Sequence, residues 1–216
     1  MNFFKKITKK NLYLLFKSLC DLLFSITVIV IGSPLFLVIA ILIKFSSRGP
    51  IFYYHQRIGK NFKPFYCIKF RTMHPEADDI LENLFEKNKN IKIEFEKTHK
   101  LRNDPRITRI GKFLRKTSLD ELPQFINVLK LDMSVIGPRP IVQKEIDKYG
   151  IQIKKVLSIN PGITGLWQVS GRNNLSYKKR VYLDRLYVDN LNFIMDLRIM
   201  IRTFGVLLFP MDRGAY

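Results

Sequence analysis

Side chains that could cross-link a fold or bind a structural metal are scarce in this sequence. The 216 residues include only 2 cysteines, Cys20 and Cys67, which is too few for a disulfide framework or a cysteine-built zinc site. The three histidines are isolated and lack ligand spacing. Acidic residues number 18 against 37 lysines and arginines, so the formal net charge is +19. Such a chain favours an anionic partner: nucleic acid, acidic lipid or a phosphorylated substrate.

Charge is wholly absent from one long stretch. From Leu22 to Ile43 the sequence reads LLFSITVIVIGSPLFLVIAILI. As a straight helix this run would rise about 33 Å, which is enough to cross the core of a bilayer. The run is longer than the core of a secretory signal peptide, and no small-residue cleavage pattern follows it. We therefore expect it to be embedded in a membrane.

Both flanks of this run are basic, and positive flanks stay on the cytoplasmic side of a membrane. The basic flanking residues are Lys5, Lys6, Lys9, Lys10, Lys17, Lys44, Arg48, Arg57, Lys60 and Lys63. Near the middle of the run, Pro34 removes a backbone donor and bends a helix, while the hydroxyl of Ser33 can satisfy a freed carbonyl. The pattern predicts a re-entrant helical hairpin with both ends cytoplasmic. A kinked helix that spans the membrane is the alternative.

The remaining sequence predicts a mixture of strands and helices. Residues 51–72 are rich in aromatic and β-branched residues around Gly59-Lys60-Asn61, which predicts a β-hairpin. Lys69 and Arg71 would share one face of its second strand, where they would either bind phosphate or simply be solvated. Helices are predicted over 76–90, over 106–116 with a basic face suited to anionic headgroups, and over 192–209, where charges favour docking over spanning. A polar stretch to about residue 100 is expected to be a loop.

These elements predict an α+β chain in two parts. Residues 1–48 would form the membrane anchor, and residues 49–216 would form a small, mainly helical cytoplasmic domain with a β-hairpin and membrane-surface helices. No internal repeat or low-complexity linker interrupts the second part.

Two adjacent carboxylates, Asp120 and Glu121, are the first candidates for chemistry. One interpretation is structural, because Ser118 and Glu121 have the spacing of a helix capping box, although Pro123 fits that register poorly. The other interpretation is catalytic. A carboxylate near a helix N-terminus stays ionised and can attack phosphorus, while its neighbour holds a magnesium ion on the phosphates.

Two further motifs follow within sixty residues. In VIGPRP, prolines fix the backbone on both sides of Arg139, whose planar guanidinium matches phosphate oxygens; a rigid turn with a solvated arginine is the alternative. In NPGITGLWQVSGRN, glycines allow a tight backbone, and Trp167 and Arg172 offer stacking and anion contact. Each motif alone is weak evidence, but their order behind a membrane segment is more specific.

Together these segments resemble the bacterial sugar transferases, the monotopic phosphoglycosyl transferases. The resemblance rests on the apolar run with Ser33-Pro34 and on the motifs KFRTM (69–73), SLDELPQ (118–124), DMSVIGPRP (132–140) and PGITGLWQVSGRN (161–173). It extends from about residue 17 to 205. One departure is Leu131, where the family usually has glycine before Asp-Met-Ser.

The resemblance implies a specific reaction and a set of site residues. The aspartate of the dyad, here Asp120, would attack a UDP-sugar, release UMP and pass the phosphosugar to polyprenyl (undecaprenyl) phosphate, with Glu121 assisting at Mg²⁺. Arg139 would bind the nucleotide. Other polar positions associated with the site are matched by Lys69, Arg71, Arg172 and Asp184.

The resemblance also implies a setting for this reaction. The protein would act at the inner face of the bacterial cytoplasmic membrane, in the first membrane step of exopolysaccharide, capsule or O-antigen synthesis. The sequence LWQVSGRN is more similar to that of members that transfer galactose or glucose phosphate. The chain also looks like a minimal catalytic form of the family. Its partners would be membrane lipids and the two substrates, not nucleic acid; a homodimer stays open. The competing hypotheses are a membrane-tethered scaffold and a membrane-tethered nucleic-acid binder without catalysis, which the charge alone would allow.

Overall fold

A computed structural model describes residues 9–88, 91–93, 95, 101 and 104–208 of the chain. Its principal helices are α1 (Lys9–Ser46), α2 (Ala77–Lys87), α3 (Arg109–Thr117), α4 (Gln124–Leu129), α5 (Ile146–Tyr149), α6 (Ile153–Val156), α7 (Leu166–Ser170), α8 (Tyr177–Asp189) and α9 (Phe193–Leu208). Its strands are β1 (Phe52–Ile58), β2 (Pro64–Phe70), β3 (Ser134–Ile136) and β4 (Gly162–Thr164). A mainly helical chain with small sheets is confirmed. Lys5, Lys6, most of the predicted loop before Lys100, and Phe209 lie outside the described residues.

The apolar run forms part of one helix, α1, that continues through Ser33-Pro34. The Ser33 hydroxyl donates to the carbonyl of Val30 at 2.9 Å, as a serine beside a helical proline can. Within the described residues, α1 is the one helix long and apolar enough to cross a membrane. Only 11 % of its most apolar stretch is buried by protein. It is therefore a candidate for membrane anchoring, and the re-entrant course stays a prediction.

The described chain forms two compact units, and α1 contributes to both. The first unit contains the described residues up to Ser33, then Tyr54–Ile68 and the described residues from Pro123 onward. The second unit contains Pro34–Tyr53 and the described part of Lys69–Leu122. The predicted boundary at residue 48 separates a membrane part of the chain from a cytoplasmic part, whereas the two units are separated by how the chain packs. The boundary therefore stays a prediction.

The first unit is built around a small parallel sheet and a separate apolar cluster. Strand β3 pairs with β4 with Ser134 opposite Gly162. A Cβ at Gly162 would lie 2.1 Å from the backbone nitrogen of Gly137, so only glycine allows this approach. Side chains from β1, from the helices α5, α6 and α8 and from the segments between them form the cluster: Ile58, Ile141, Tyr149, Ile153, Val156, Leu157 and Val181.

The second unit packs the end of α1 against β2 and α3. Its core contains Ile39 and Ile43 from α1, Phe70 from β2 and Leu114 from α3. The ring of Phe70 stacks on that of Phe52 with centroids 5.5 Å apart, which confirms that the strands of the predicted hairpin meet. Burying aromatic and branched side chains from these elements fixes α3, and hence the residues that follow it, against β2.

Helix α3 begins later than the sequence predicts. The Thr108 side chain accepts a hydrogen bond from the backbone nitrogen of Gly111 at 2.9 Å and thereby caps the helix. Ile107, which was placed inside the predicted helix, instead forms a β-bridge with Met73. The basic face of α3 is exposed. Its contact with membrane headgroups stays a prediction.

Candidate active site

The acidic dyad, Asp120 and Glu121, lies in a single 3₁₀ turn between α3 and α4. The turn covers Leu119–Glu121, and α4 begins only at Gln124, after Pro123. The capping-box interpretation is wrong, because Ser118 makes no side-chain cap in this turn. Ser118 instead ends α3 in the left-handed conformation, at φ 58°. Pro123 is compatible with this later start, because a helix does not use its first backbone donors.

Glu121 is held by a lysine from the neighbouring strand. The Nζ atom of Lys69 in β2 lies 2.6 Å from Oε1 of Glu121, with the two side chains 17 % and 23 % exposed. A charge-assisted hydrogen bond of this length orients both groups. Lys69, predicted as a site residue from its motif, therefore lies beside the dyad.

Asp120 is half-buried and has a perturbed acidity. Burial, reinforced by the negative charge of Glu121, raises the pKa of Asp120 to about 6, while Lys69 and Arg115 act in the opposite direction. A carboxylate with this pKa is mostly ionised at neutral pH, yet is more basic than an ordinary aspartate. Such a group suits a nucleophile that must attack and later leave.

Arg115 is a neighbour of the dyad that the sequence analysis did not identify. Its Nε donates to Oγ1 of Thr72 at 2.9 Å, which aims the side chain from α3 across the end of β2. Burial lowers the pKa of Arg115, and the charge of Asp120 raises it again. Its position five residues before Asp120 is a sequence signal for the site, but the basic residues around it favour a helix that lies on membrane headgroups.

Arg71 is buried and contacts the end of the apolar helix. Its Nη1 donates to the carbonyl of Arg48 at 2.6 Å and its Nη2 to the carbonyl of Ser47 at 2.8 Å. These carbonyls follow the last turn of α1, where a cation is favoured by the helix dipole. Arg71 thus ties α1 to the strand that carries Lys69, and its predicted contact with substrate stays a prediction.

In the first unit, two arginines make cation–π contacts with one tryptophan. The guanidinium carbons of Arg139 and Arg180 lie 5.9 Å and 4.9 Å from the ring centroid of Trp167, which is 6 % exposed. Arg180 was not identified from the sequence. Arg172, by contrast, lies in a 3₁₀ turn after Gly171 and has a left-handed φ of 50°. A guanidinium over an aromatic face is held by the negative face of the ring, and the Nε of Arg180 additionally donates to the carbonyl of Leu175 at 3.2 Å.

Asp184 lies beneath this arrangement and is fully buried, at 0 % exposure. The hydroxyl of Tyr149 donates to its Oδ2 at 2.8 Å. Burial raises the pKa of Asp184 to about 7, and the Tyr149 hydrogen bond and Arg139 act to lower it. Any influence of Asp184 on a substrate would therefore pass through its neighbours, and its predicted site role stays a prediction.

The carboxylates available for a metal are few. Within the residues that the structure describes, no cluster of three or more His, Cys, Asp or Glu side chains is arranged to hold an ion. Magnesium nevertheless requires only one or two carboxylates when substrate phosphates and water complete its shell. The carboxylate of Glu121 fits that mode as the protein's ligand. Lys69, Arg71, Arg115 and the dyad all belong to the second unit, whereas Arg139, Arg172 and Asp184 belong to the first.

With this geometry in hand, comparison with known proteins gives a consistent result. A family model described as bacterial sugar transferase matches residues 12–210. The chain belongs to the bacterial sugar transferase family. It is therefore a transferase, and the resemblance drawn from its motifs is confirmed.

Curated relatives cover most of this chain. It is 46 % identical over 196 residues to the exopolysaccharide production protein ExoY of Rhizobium meliloti, covering 91 % of this chain and 86 % of that protein. It is also 46 % identical over 196 residues to the undecaprenyl-phosphate galactose phosphotransferase of Salmonella typhimurium. The UDP-glucose:undecaprenyl-phosphate glucose-1-phosphate transferase of Klebsiella pneumoniae is 36 % identical over 198 residues. The match covers 91 % and 88 % of this chain but only 40 % and 39 % of these two enzymes, respectively.

Proposed function

We propose that this sugar transferase moves a hexose 1-phosphate from a UDP-hexose to polyprenyl phosphate, at the cytoplasmic face of the bacterial inner membrane. The observation that carries the proposal is Asp120, a half-buried carboxylate with a pKa of about 6, within electrostatic reach of Lys69 and Arg115. Relatives named for transfer of galactose or glucose phosphate to undecaprenyl phosphate support the choice of donor and acceptor.

The reaction proceeds in two displacements at one phosphorus atom. An Oδ of Asp120 attacks the phosphorus that carries the sugar, and a bond forms between aspartate and phosphate as the bond to the nucleotide breaks. UMP leaves with that electron pair. A phosphate oxygen of the polyprenyl acceptor then attacks the same phosphorus, which forms polyprenyl diphosphohexose and returns Asp120 as a carboxylate.

The neighbours of Asp120 have distinct tasks in this scheme. Lys69 and Arg115 offset the charge that accumulates when an anionic donor approaches a carboxylate. Magnesium, held by Glu121 and substrate phosphates, would supply further charge neutralisation. Arg139, whose guanidinium lies over the ring of Trp167, would bind the nucleotide part of the donor, as the motif resemblance implies.

Release of UMP tests the proposal against a non-catalytic scaffold or nucleic-acid binder. Purified protein in lipid nanodiscs is mixed with Mg²⁺, polyprenyl phosphate and a panel of UDP-sugars. We expect UMP to appear with UDP-galactose or UDP-glucose, and to be lost in Asp120→Asn. Lys130→Ala, which alters an exposed side chain outside the site, is the matched control. No UMP with any sugar of the panel would contradict the proposal.

A further inference from the structure

The first unit contains a cavity that the proposed reaction does not use. It lies between α1, β3 and α9 and has a volume of about 250 Å³. The side chains that line it from the two helices are mainly apolar, namely Phe16, Cys20, Phe24, Phe193, Leu197 and Met200. We refer to it as the α1–α9 cavity.

The polar groups in its wall are already paired with one another. Lys17 and the hydroxyl of Tyr13 both contact Oδ2 of Asp196, each at 2.7 Å. The hydroxyl of Tyr187 donates to Oδ1 of Asp196 at 2.6 Å, and that of Ser134 contacts Asp21 at 2.5 Å. Because this network is satisfied internally, what the cavity offers to a guest is its apolar surface.

The cavity lies beside an apolar face of α1. Phe16 and Phe193, whose rings meet edge to face at 6.4 Å, are each about half exposed, at 52 % and 56 %. Beside them, Leu15, Leu19 and Leu23 of α1 are also exposed. Water in an apolar cavity beside an apolar surface is unfavourable, whereas hydrocarbon there is not.

The geometry points to a binding site for one acyl chain of a bilayer phospholipid in the α1–α9 cavity. The helix that forms one wall is the membrane-anchor candidate, and exposed apolar side chains of that same helix adjoin the cavity lining. Acyl chains are by far the most abundant apolar chains at such a surface. The volume is below the range of roughly 300–1,000 Å³ that encloses a whole drug-sized ligand. The cavity would therefore take part of a chain and leave the headgroup outside.

Photolabelling in nanodiscs tests this assignment. The full chain is reconstituted in phosphatidylethanolamine and phosphatidylglycerol with a trace of phospholipid that carries a diazirine on its acyl chain. After irradiation, labelled peptides are mapped by mass spectrometry. We expect label on the residues lining the cavity, from Phe16 to Phe24 and from Phe193 to Met200.

A variant with a larger side chain in the cavity tests whether labelling there depends on the empty volume. Leu197→Trp, or Cys20→Phe from the opposite wall if the first variant folds poorly, should reduce label in the cavity by at least about fivefold relative to label at residues 35–42. Ile201→Trp is the matched control, since Ile201 lies on the same helix, is 62 % exposed and does not line the cavity. Its labelling pattern should be unchanged.

Two outcomes would overturn the assignment. Equal labelling of the cavity in the filled variant and the control would show that no chain enters it. Displacement of the label by low concentrations of polyprenyl phosphate, or preferential labelling by a diazirine-bearing polyprenyl phosphate, would assign the cavity to the acceptor instead. UMP release, measured in parallel, reports on the proposed reaction separately.

Discussion

At the scale of single residues, the pKa of Asp120 is set by charged neighbours of both signs. Burial and Glu121 raise its pKa to about 6, whereas Lys69 and Arg115 lower it. Because the attacking form is the carboxylate, the rate of UMP release should rise with pH and level off above about 6. The rising part of this pH profile is its acidic limb. Substitution of Glu121 or Lys69 should move that limb along the pH axis in a defined direction.

The direction differs between the two partners of one ion pair. Glu121→Gln removes a negative charge, so the pKa of Asp120 falls and the limb moves to lower pH. Lys69→Met removes a positive charge, so the limb moves to higher pH. Each displacement should be about half a pH unit or more. The measurement is single-turnover UMP release between pH 5 and 8, and displacement of both variants in the same direction would contradict the assigned charges.

Leu131 has a backbone conformation that is unfavourable for a residue with a Cβ. It adopts a left-handed conformation, at φ 62°, and is 57 % exposed. The motif resemblance predicts glycine here, and the left-handed region costs a residue with a Cβ about 1–2 kcal/mol. Leu131→Gly should therefore raise the free energy of unfolding by about 0.5–1 kcal/mol after the added chain entropy is subtracted.

Thermal or denaturant unfolding in detergent measures this change. Leu129→Gly is the matched control, because Leu129 is the last residue of α4 and is partly exposed. That substitution should lower stability by about 1 kcal/mol. If both glycine variants are destabilised to a similar extent, the result contradicts the backbone strain that is assigned to Leu131.

At the scale of elements, the position of α3 depends on one close contact. A Cβ at Gly111 would lie 1.9 Å from the carbonyl oxygen of Thr72. Because that atom is backbone, Gly111→Ala must displace either α3 or the end of β2, at a cost of at least about 1–3 kcal/mol. Arg115 lies in α3 and the dyad comes directly after it, so UMP release should fall more than tenfold.

A second helical glycine provides the comparison. Gly205 lies in α9, and a Cβ added there would meet no atom within 4 Å. Gly205→Ala should therefore stabilise the protein by about 0.5–1 kcal/mol through helix propensity alone, with activity retained. The two variants are compared by unfolding and by UMP release, and a Gly111→Ala protein with normal stability would refute the contact.

The sequence predicted the long elements better than the short ones. The amphipathic pattern of α2 and the two strands of the hairpin extend over enough residues for their periodicity to be read. Strands β3 and β4 have only three residues each, and their parallel pairing depends on a close approach of Gly137 and Gly162, which lie far apart in the sequence and share no local pattern. The dyad was found by its motif, but its 3₁₀ turn was not, because Ser118 can either cap a following helix or end a preceding one.

The same limit applies to the site. Lys69 was placed near the dyad by resemblance, and its ion pair with Glu121 connects residues fifty-two positions apart. Arg115 and Arg180 were missed, since a sequence rich in lysine and arginine gives no local sign of which cation points inward.

For the whole molecule, the distribution of charge predicts topology. The net charge is +19, and basic residues lie on both sides of the apolar run, so both flanks should be cytoplasmic. In a Cys20→Ser background, cysteines at positions 9 and 60 should resist an impermeant maleimide in intact cells and react after permeabilisation. Cys67 stays silent because it is buried. Labelling of position 9 from outside would establish a spanning helix, and Pro34→Ala is expected to favour that state.

The central claim is that Asp120 carries the sugar phosphate during turnover, and the mass of the intact protein tests it most directly. The protein is incubated with its UDP-hexose and Mg²⁺ but without polyprenyl phosphate, quenched in acid, and examined whole and after proteolysis. The account predicts an added mass of one hexose phosphate less water on the peptide containing Asp120, released when the acceptor is supplied. Glu121→Gln should still form the adduct, more slowly, whereas Asp120→Asn should not. An adduct of the same mass in Asp120→Asn would falsify the assignment.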